Sequence, residues 1–196
     1  MGNSRAYPVF QTTDAPMAYR QAEHLRTLMA ECEGKAGLYA ELRTVEDVRR
    51  MVTVLPEANF DHLDMRAGPA GEGLWFDLDV TTAGAAALEA HLPLDVTADV
   101  PTGTVEERFV AALGQGIADI CWRGLWPEHP ETVQYASANH DGVQIVFHGE
   151  EAQLNRWTEH HTVFVHGGSN RGALTRAQEL AARIGGKVLG EPQLGW

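Results

Sequence analysis

The amino-acid sequence predicts an α+β fold: a mixed, mostly antiparallel sheet with helices packed on one face. Three observations carry this. Residues 132–138 and 143–148 flank Asn139-His140-Asp141-Gly142, and an Asp-Gly corner suits a type I′ hairpin turn, which needs positive φ. In residues 74–80, Leu74, Phe76, Leu78 and Val80 alternate with Trp75, Asp77 and Asp79, the period of a half-buried strand. Several stretches place apolar residues at helical spacing behind a capping residue. Alternating helices and strands would also suit a parallel α/β sheet. The hairpin and a second pair, 60–66 with 74–80 across a Gly/Pro turn, favour antiparallel content.

Taken in order, residues 7–11 form a short strand. Asp14-Ala15-Pro16 then opens a helix, because Asp14 can accept from free N–H groups and a proline in the first turn loses no bond. Ala18, Ala22, Leu25, Leu28, Met29 and Cys32 follow at helical spacing, with Gly34 as the stop. Residues 37–43 are a strand, and Thr44 to Asp47 forms a capping box for a short helix that ends before Pro56. Residues 82–91 are an alanine-rich helix and 94–100 a strand between prolines. Thr104 to Glu107 predicts a second capping box. Residues 117–125 are an apolar run, 150–157 a helix, 162–166 a strand, 173–184 a helix stopped by Gly185-Gly186, and 187–190 a last strand.

At 196 residues the chain suits a single domain, 1–196, with two sub-lobes, 7–100 and 104–196, meeting at Pro101-Thr102-Gly103. The apolar share of 44% allows a real core and argues against disorder. Acidic residues outnumber basic ones 27 to 15, and lysine occurs only at Lys35 and Lys187. A formal charge of −12 argues against nucleic acid as main partner, since phosphate contacts need clustered cations. No apolar run reaches the ~20 residues of a membrane span, and residues 1–10 lack a secretory apolar segment. Cys32 and Cys121 read as small buried hydrophobes, so a reducing, cytoplasmic setting is expected.

Four groups of residues bear on function. His166, Gly167, Gly168, Ser169, Asn170 and Arg171, followed by Gly172, lie between a strand and a helix. Such a loop can aim N–H groups at a phosphate, and Arg171 could pair with an anion. The stretch loosely resembles the glycine loops of Rossmann-like nucleotide-binding proteins, but its glycine spacing and late position differ from theirs. His140, His148, Glu159, His160, His161 and His166 are histidine-rich, yet His161 and His166 point to opposite faces of one strand, so no metal site is expected. Asp61, Asp64, Asp77 and Asp79 form an acidic sheet face, with Trp75 beside them as a partner-binding anchor. Trp122, Trp126, Tyr135 and Trp157 are expected at the core or its edge, with residues 126–130 as a proline-stiffened loop.

No nucleophile motif emerges, and no cofactor is implied. The expected function is therefore a non-catalytic, acidic protein-binding module of bacterial type. Its concrete form is a toxin-neutralising immunity protein that masks a basic partner through Trp75, Asp77, Asp79, Asp61 and Asp64. The alternative is an enzyme or sensor for a phosphorylated small molecule or nucleotide, bound at the loop from His166. Nine histidines further predict acid sensitivity below about pH 6, because protonating all nine would bring the formal charge from −12 to −3.

Overall fold

The computed structural model describes residues 4–63, 76–127, 141–168 and 172–196. The elements are β1 (Ser4–Thr12), α1 (Ala15–Thr27), β2 (Glu31–Leu42), α2 (Val45–Val54), β3 (Asn59–His62), α3 (Ala85–His91), β4 (Leu94–Pro101), α4 (Glu106–Ala112), β5 (Ala118–Leu125), β6 (Gly142–Phe147), β7 (His161–Gly168), α5 (Ala173–Arg183) and β8 (Gln193–Leu194). The eight strands form one sheet in the order β3-β4-β2-β5-β6-β7-β1-β8, and its ladders are antiparallel. The α+β class with helices on one face is as expected.

The helices that sequence chemistry specified form where expected. Asp14 accepts from Met17 N at 2.8 Å, and Ala18, Ala22 and Leu25 of α1 are buried. Thr44 and Asp47 make the reciprocal capping box of α2. Leu38, Ala40 and Leu42 of β2, Val96 of β4, Ile120 and Trp122 of β5 and Val163 of β7 face the helices and bury the main core.

Several expectations are corrected. Helix α1 stops at Thr27, and the backbone of Cys32 belongs to β2. Gly34 takes φ +71 where the β2–β5 register slips, so it serves a bulge, not a helix end. No Thr104 capping box forms. Instead the buried Glu106 carboxylate accepts from Gly103 N at 2.7 Å and Val105 N at 3.1 Å, while the Thr104 hydroxyl donates to the Pro101 carbonyl. Residues 150–157 are not helical, and the last strand is β8, not 187–190. Both edges of β6 are taken, by β5 and β7, so it does not form the expected hairpin ladder; residues 132–138 lie outside the described residues. Strand β3 pairs with β4, and residues 76–80 lie outside any ladder; residues 74 and 75 lie outside the described residues.

Candidate functional site

The sheet has two unlike halves. The helices pack on one face. On the other face, residues 149–160 and the C-terminal tail lie over β6, β7 and β1. Ala6, Ile117, Val146, Ala152 and Phe164 form a small second core there, and β6 and β7 are buried along both faces. Over β3 and β4 that face is open at Thr97 and Asp99, while at the end of β2 Gly116 and Ile117 close on Glu41, whose Oε2 accepts from Ile117 N at 3.4 Å. Thr97 and Asp99 are exposed, Tyr39, Asp61 and Asp95 are half-buried, and the Glu41 side chain is only 10% exposed.

The uncovered half is acidic because of register. Asp61 on β3 stands opposite Asp95 on β4, and Asp95 stands opposite Glu41 on β2. Asp99 pairs with Gly37, and Tyr39 lies between Thr97 of β4 and Asp119 of β5. Residues paired across an antiparallel ladder share a face with Cβ atoms about 4.5–5.5 Å apart, so like charges so placed oppose folding. Burial together with the Asp61 and Glu41 carboxylates pushes Asp95 up to about 6. Burial and the carboxylates of Glu41, Asp95 and Asp119 also raise Tyr39, which therefore stays a neutral phenol. Among the described residues one cation answers within the row: Arg43 donates to Glu41 through Nε at 3.1 Å, with its side chain half exposed. Lys35 and Arg123 stand at the far end of the same face.

A depression of about 290 Å³ sinks into this face, lined by Gly37, Thr97, Asp99, Asp119 and Cys121. Gly37 makes room for it. A Cβ there would stand 2.8 Å from Cys121 Sγ and 3.7 Å from an Asp99 oxygen. Cys121 is a free thiol pushed up to about 12, by burial and by Asp119, so it is not a nucleophile at neutral pH.

Asp119 begins a buried polar chain that runs under the covered half. Its Oδ2 accepts from Gln144 Nε2 at 2.8 Å, and Gln144 Oε1 lies 2.9 Å from His166 Nε2. Since Gln144 Nε2 also donates to the Ala152 carbonyl, its Oε1 is an acceptor and His166 Nε2 carries the proton. Burial pushes Asp119 up to about 7 against the opposing Gln144 bond. Burial, then Arg123, pulls His166 down to about 3. The Trp196 ring stacks on His166 with centroids 3.4 Å apart, and Ser4 Oγ holds the Trp196 carbonyl at 2.7 Å.

The structure places the expected site residues as follows. Asp61 belongs to the acidic row. Asp77 and Asp79 do not, because they lie in the segment before α3; Asp79 accepts from Thr81 N and from the Thr81 and Thr82 hydroxyls, which hold its carboxyl low and tie it to a turn. Phe76 touches His62 and His91, so this segment still abuts the end of β3. Trp75 and Asp64 lie outside the described residues. In the glycine stretch, Gly167 and Gly168 pair with Arg5 and Ser4 as part of β7, and His166 is buried beneath Trp196. Ser169, Asn170 and Arg171 lie outside the described residues. His148 and His161 meet edge to face at 4.8 Å, and His148 stacks on the half-exposed Trp157. Among the described residues no three His, Cys, Asp or Glu side chains converge as metal ligands.

Asp95, Asp99, Glu41 and Asp119 escape sequence reading as a group because they are spread over three strands, β4, β2 and β5, that lie far apart in the chain. Strand period alone marks Tyr39 and Glu41, and Asp95, Thr97 and Asp99, as the outward positions of β2 and β4.

The fold and this face define an α+β protein with an eight-stranded antiparallel sheet, helix-covered on one side and carrying an uncovered acidic half on the other. Comparison with protein-family models, curated proteins and solved structures finds no match to the chain. No helix among the described residues is long and apolar enough to cross a membrane.

Proposed function

We propose that this protein is a non-catalytic binding module whose acidic sheet face takes a cationic protein partner. The carrying observation is the in-register stack of Asp61, Asp95 and Glu41 across three adjacent strands, continued by Asp99 and Asp119. Stacked carboxylates work against folding, so their presence is accounted for by what they bind. A guanidinium or ammonium laid on the row would relieve the repulsion and pull the raised carboxyls back to their charged form. The concrete form is a bacterial, toxin-neutralising protein of the immunity type, acting in the reducing cytoplasm that suits a free Cys121. A toxin that acts on nucleic acid carries clustered Lys and Arg, which an acidic sheet masks by charge and area.

The test is retention of a stoichiometric basic protein from host extract at about 50 mM and about 300 mM salt. Wild type should retain it at low salt and lose most of it at high salt. The combined Asp61→Asn, Asp95→Asn and Asp99→Asn variant should lose it at both. Retention unchanged by those three substitutions overturns the proposal.

A further inference from the structure

The acidic face runs to an unpaired main-chain edge, and the two meet at Asp99. Strand β3 begins at Asn59, opposite Thr97, whereas β4 continues to Pro101. Leu63 N donates to the Pro93 carbonyl, so odd-numbered residues of β4 turn their main-chain groups toward β3. Thr102 N donates to the Gly34 carbonyl, so even-numbered residues turn toward β2, in agreement. Asp99 N–H and C=O therefore face outward beyond the start of β3. Among the described residues nothing pairs with them. The next outward acceptor, the Pro101 carbonyl, is already held by the Thr104 hydroxyl.

Beside this edge lies a groove of about 470 Å³. One wall is apolar: Val54, Leu55, Val100 and Val105, from the rim of the main core. The other is the acidic face, because Thr97 and Asp99 line both the groove and the depression next to Gly37. Glu57 adds a further exposed carboxylate at the groove.

We propose that this edge takes an extended segment of the cationic partner by strand addition, antiparallel to β4 and in line with β3. The proposal rests on the acidic-face reading above and adds the mode of contact. Period two fixes the recognised pattern. A residue opposite Asp99 shares its face, exchanges both main-chain bonds with it, and should be lysine or arginine. Its neighbours point to the apolar wall and should be aliphatic. The segment thus alternates cationic and apolar residues, as in other strand-addition complexes where the main chain supplies affinity and alternate side chains supply specificity.

The probe is a synthetic octapeptide alternating lysine and valine, with two N-methylated forms of identical charge. Methylation on the lysine amides removes the donors that face Asp99; methylation on the valine amides leaves them. The parent peptide should bind and slow amide exchange at Asp99, lysine N-methylation should weaken binding about tenfold or more, and valine N-methylation should weaken it far less. Equal binding of all three forms overturns strand addition while leaving the acidic face intact. Loss on lysine N-methylation without any response to salt or to Asp61→Asn and Asp95→Asn keeps strand addition and overturns the acidic-face reading. No binding of the parent peptide, or slow exchange at Asp99 in the protein alone, overturns the proposal.

Discussion

Replacing Asp119 with asparagine should make the protein more stable at alkaline pH. The side chain is buried, and its carboxyl is pushed from 3.8 to about 7. The folded state therefore keeps a proton between about pH 4 and pH 7 that the unfolded chain has released, so Asp119 lowers stability progressively as pH rises through that window. About three pH units at ~1.36 kcal/mol each set a ceiling of ~4 kcal/mol. Relaxation and water entry around a buried charge bring the expected penalty nearer ~2 kcal/mol. An amide at this position can still accept from Gln144 Nε2 and carries no charge to desolvate. Urea unfolding across pH should show Asp119→Asn and wild type nearly equal at about pH 4, and the variant ~2 kcal/mol more stable at about pH 8. His166 contributes with the opposite sign: pulled down to about 3, it lets the unfolded chain take its proton first, so its stabilisation is lost as pH falls from about 6.5. The two slopes offset each other in wild type over their shared window, and Asp119→Asn should expose the histidine slope. A pH-independent difference, or a variant less stable at pH 8, would refute this account of the buried carboxyl.

Further outcomes follow from the same contacts. Trp196→Ala removes the ring stacked on His166 and should destabilise the fold by ~2 kcal/mol while moving the His166 titration up toward 6.5, read by imidazole NMR. Gly37→Ala should cost ~1–3 kcal/mol because its Cβ meets Cys121 Sγ, and adding Cys121→Ala should recover most of the loss in thermal unfolding. Cys121 in the folded protein should resist alkylation at about pH 8 and react once unfolded, followed by peptide mass spectrometry. Acid sensitivity should be weaker than nine histidines suggest, since burial holds His148, His161 and His166 below their ordinary value; a pH titration of net charge by electrophoresis checks this.

What could be read from the sequence was local. Asp14 and the Thr44–Asp47 box specified α1 and α2 because capping is settled within one turn. Gly185 marked the end of α5 through its positive φ of 68°. Pairing was not legible, because it depends on partners far along the chain: β1 crosses to β7, and β2 sits between β4 and β5. The acidic face shows the consequence. Its composition is visible, but period two puts Asp77 and Asp79 on a strand whereas residues 76–80 are not in one, and Asp95 and Glu41 become neighbours of Asp61 only through the β3–β4–β2 order. Gly34 misled for a related reason: positive φ serves a bulge as well as a helix end.

The central claim is that a cationic protein docks on the uncovered sheet half. Hydrogen exchange of the protein with and without a basic protein retained from host extract tests this most directly. Slowed exchange along β4 from Thr97 to Asp99 and along β3, with α1 and α5 unchanged, is the predicted result. Protection confined to the helix layer, with β3 and β4 exchanging as before, would contradict it.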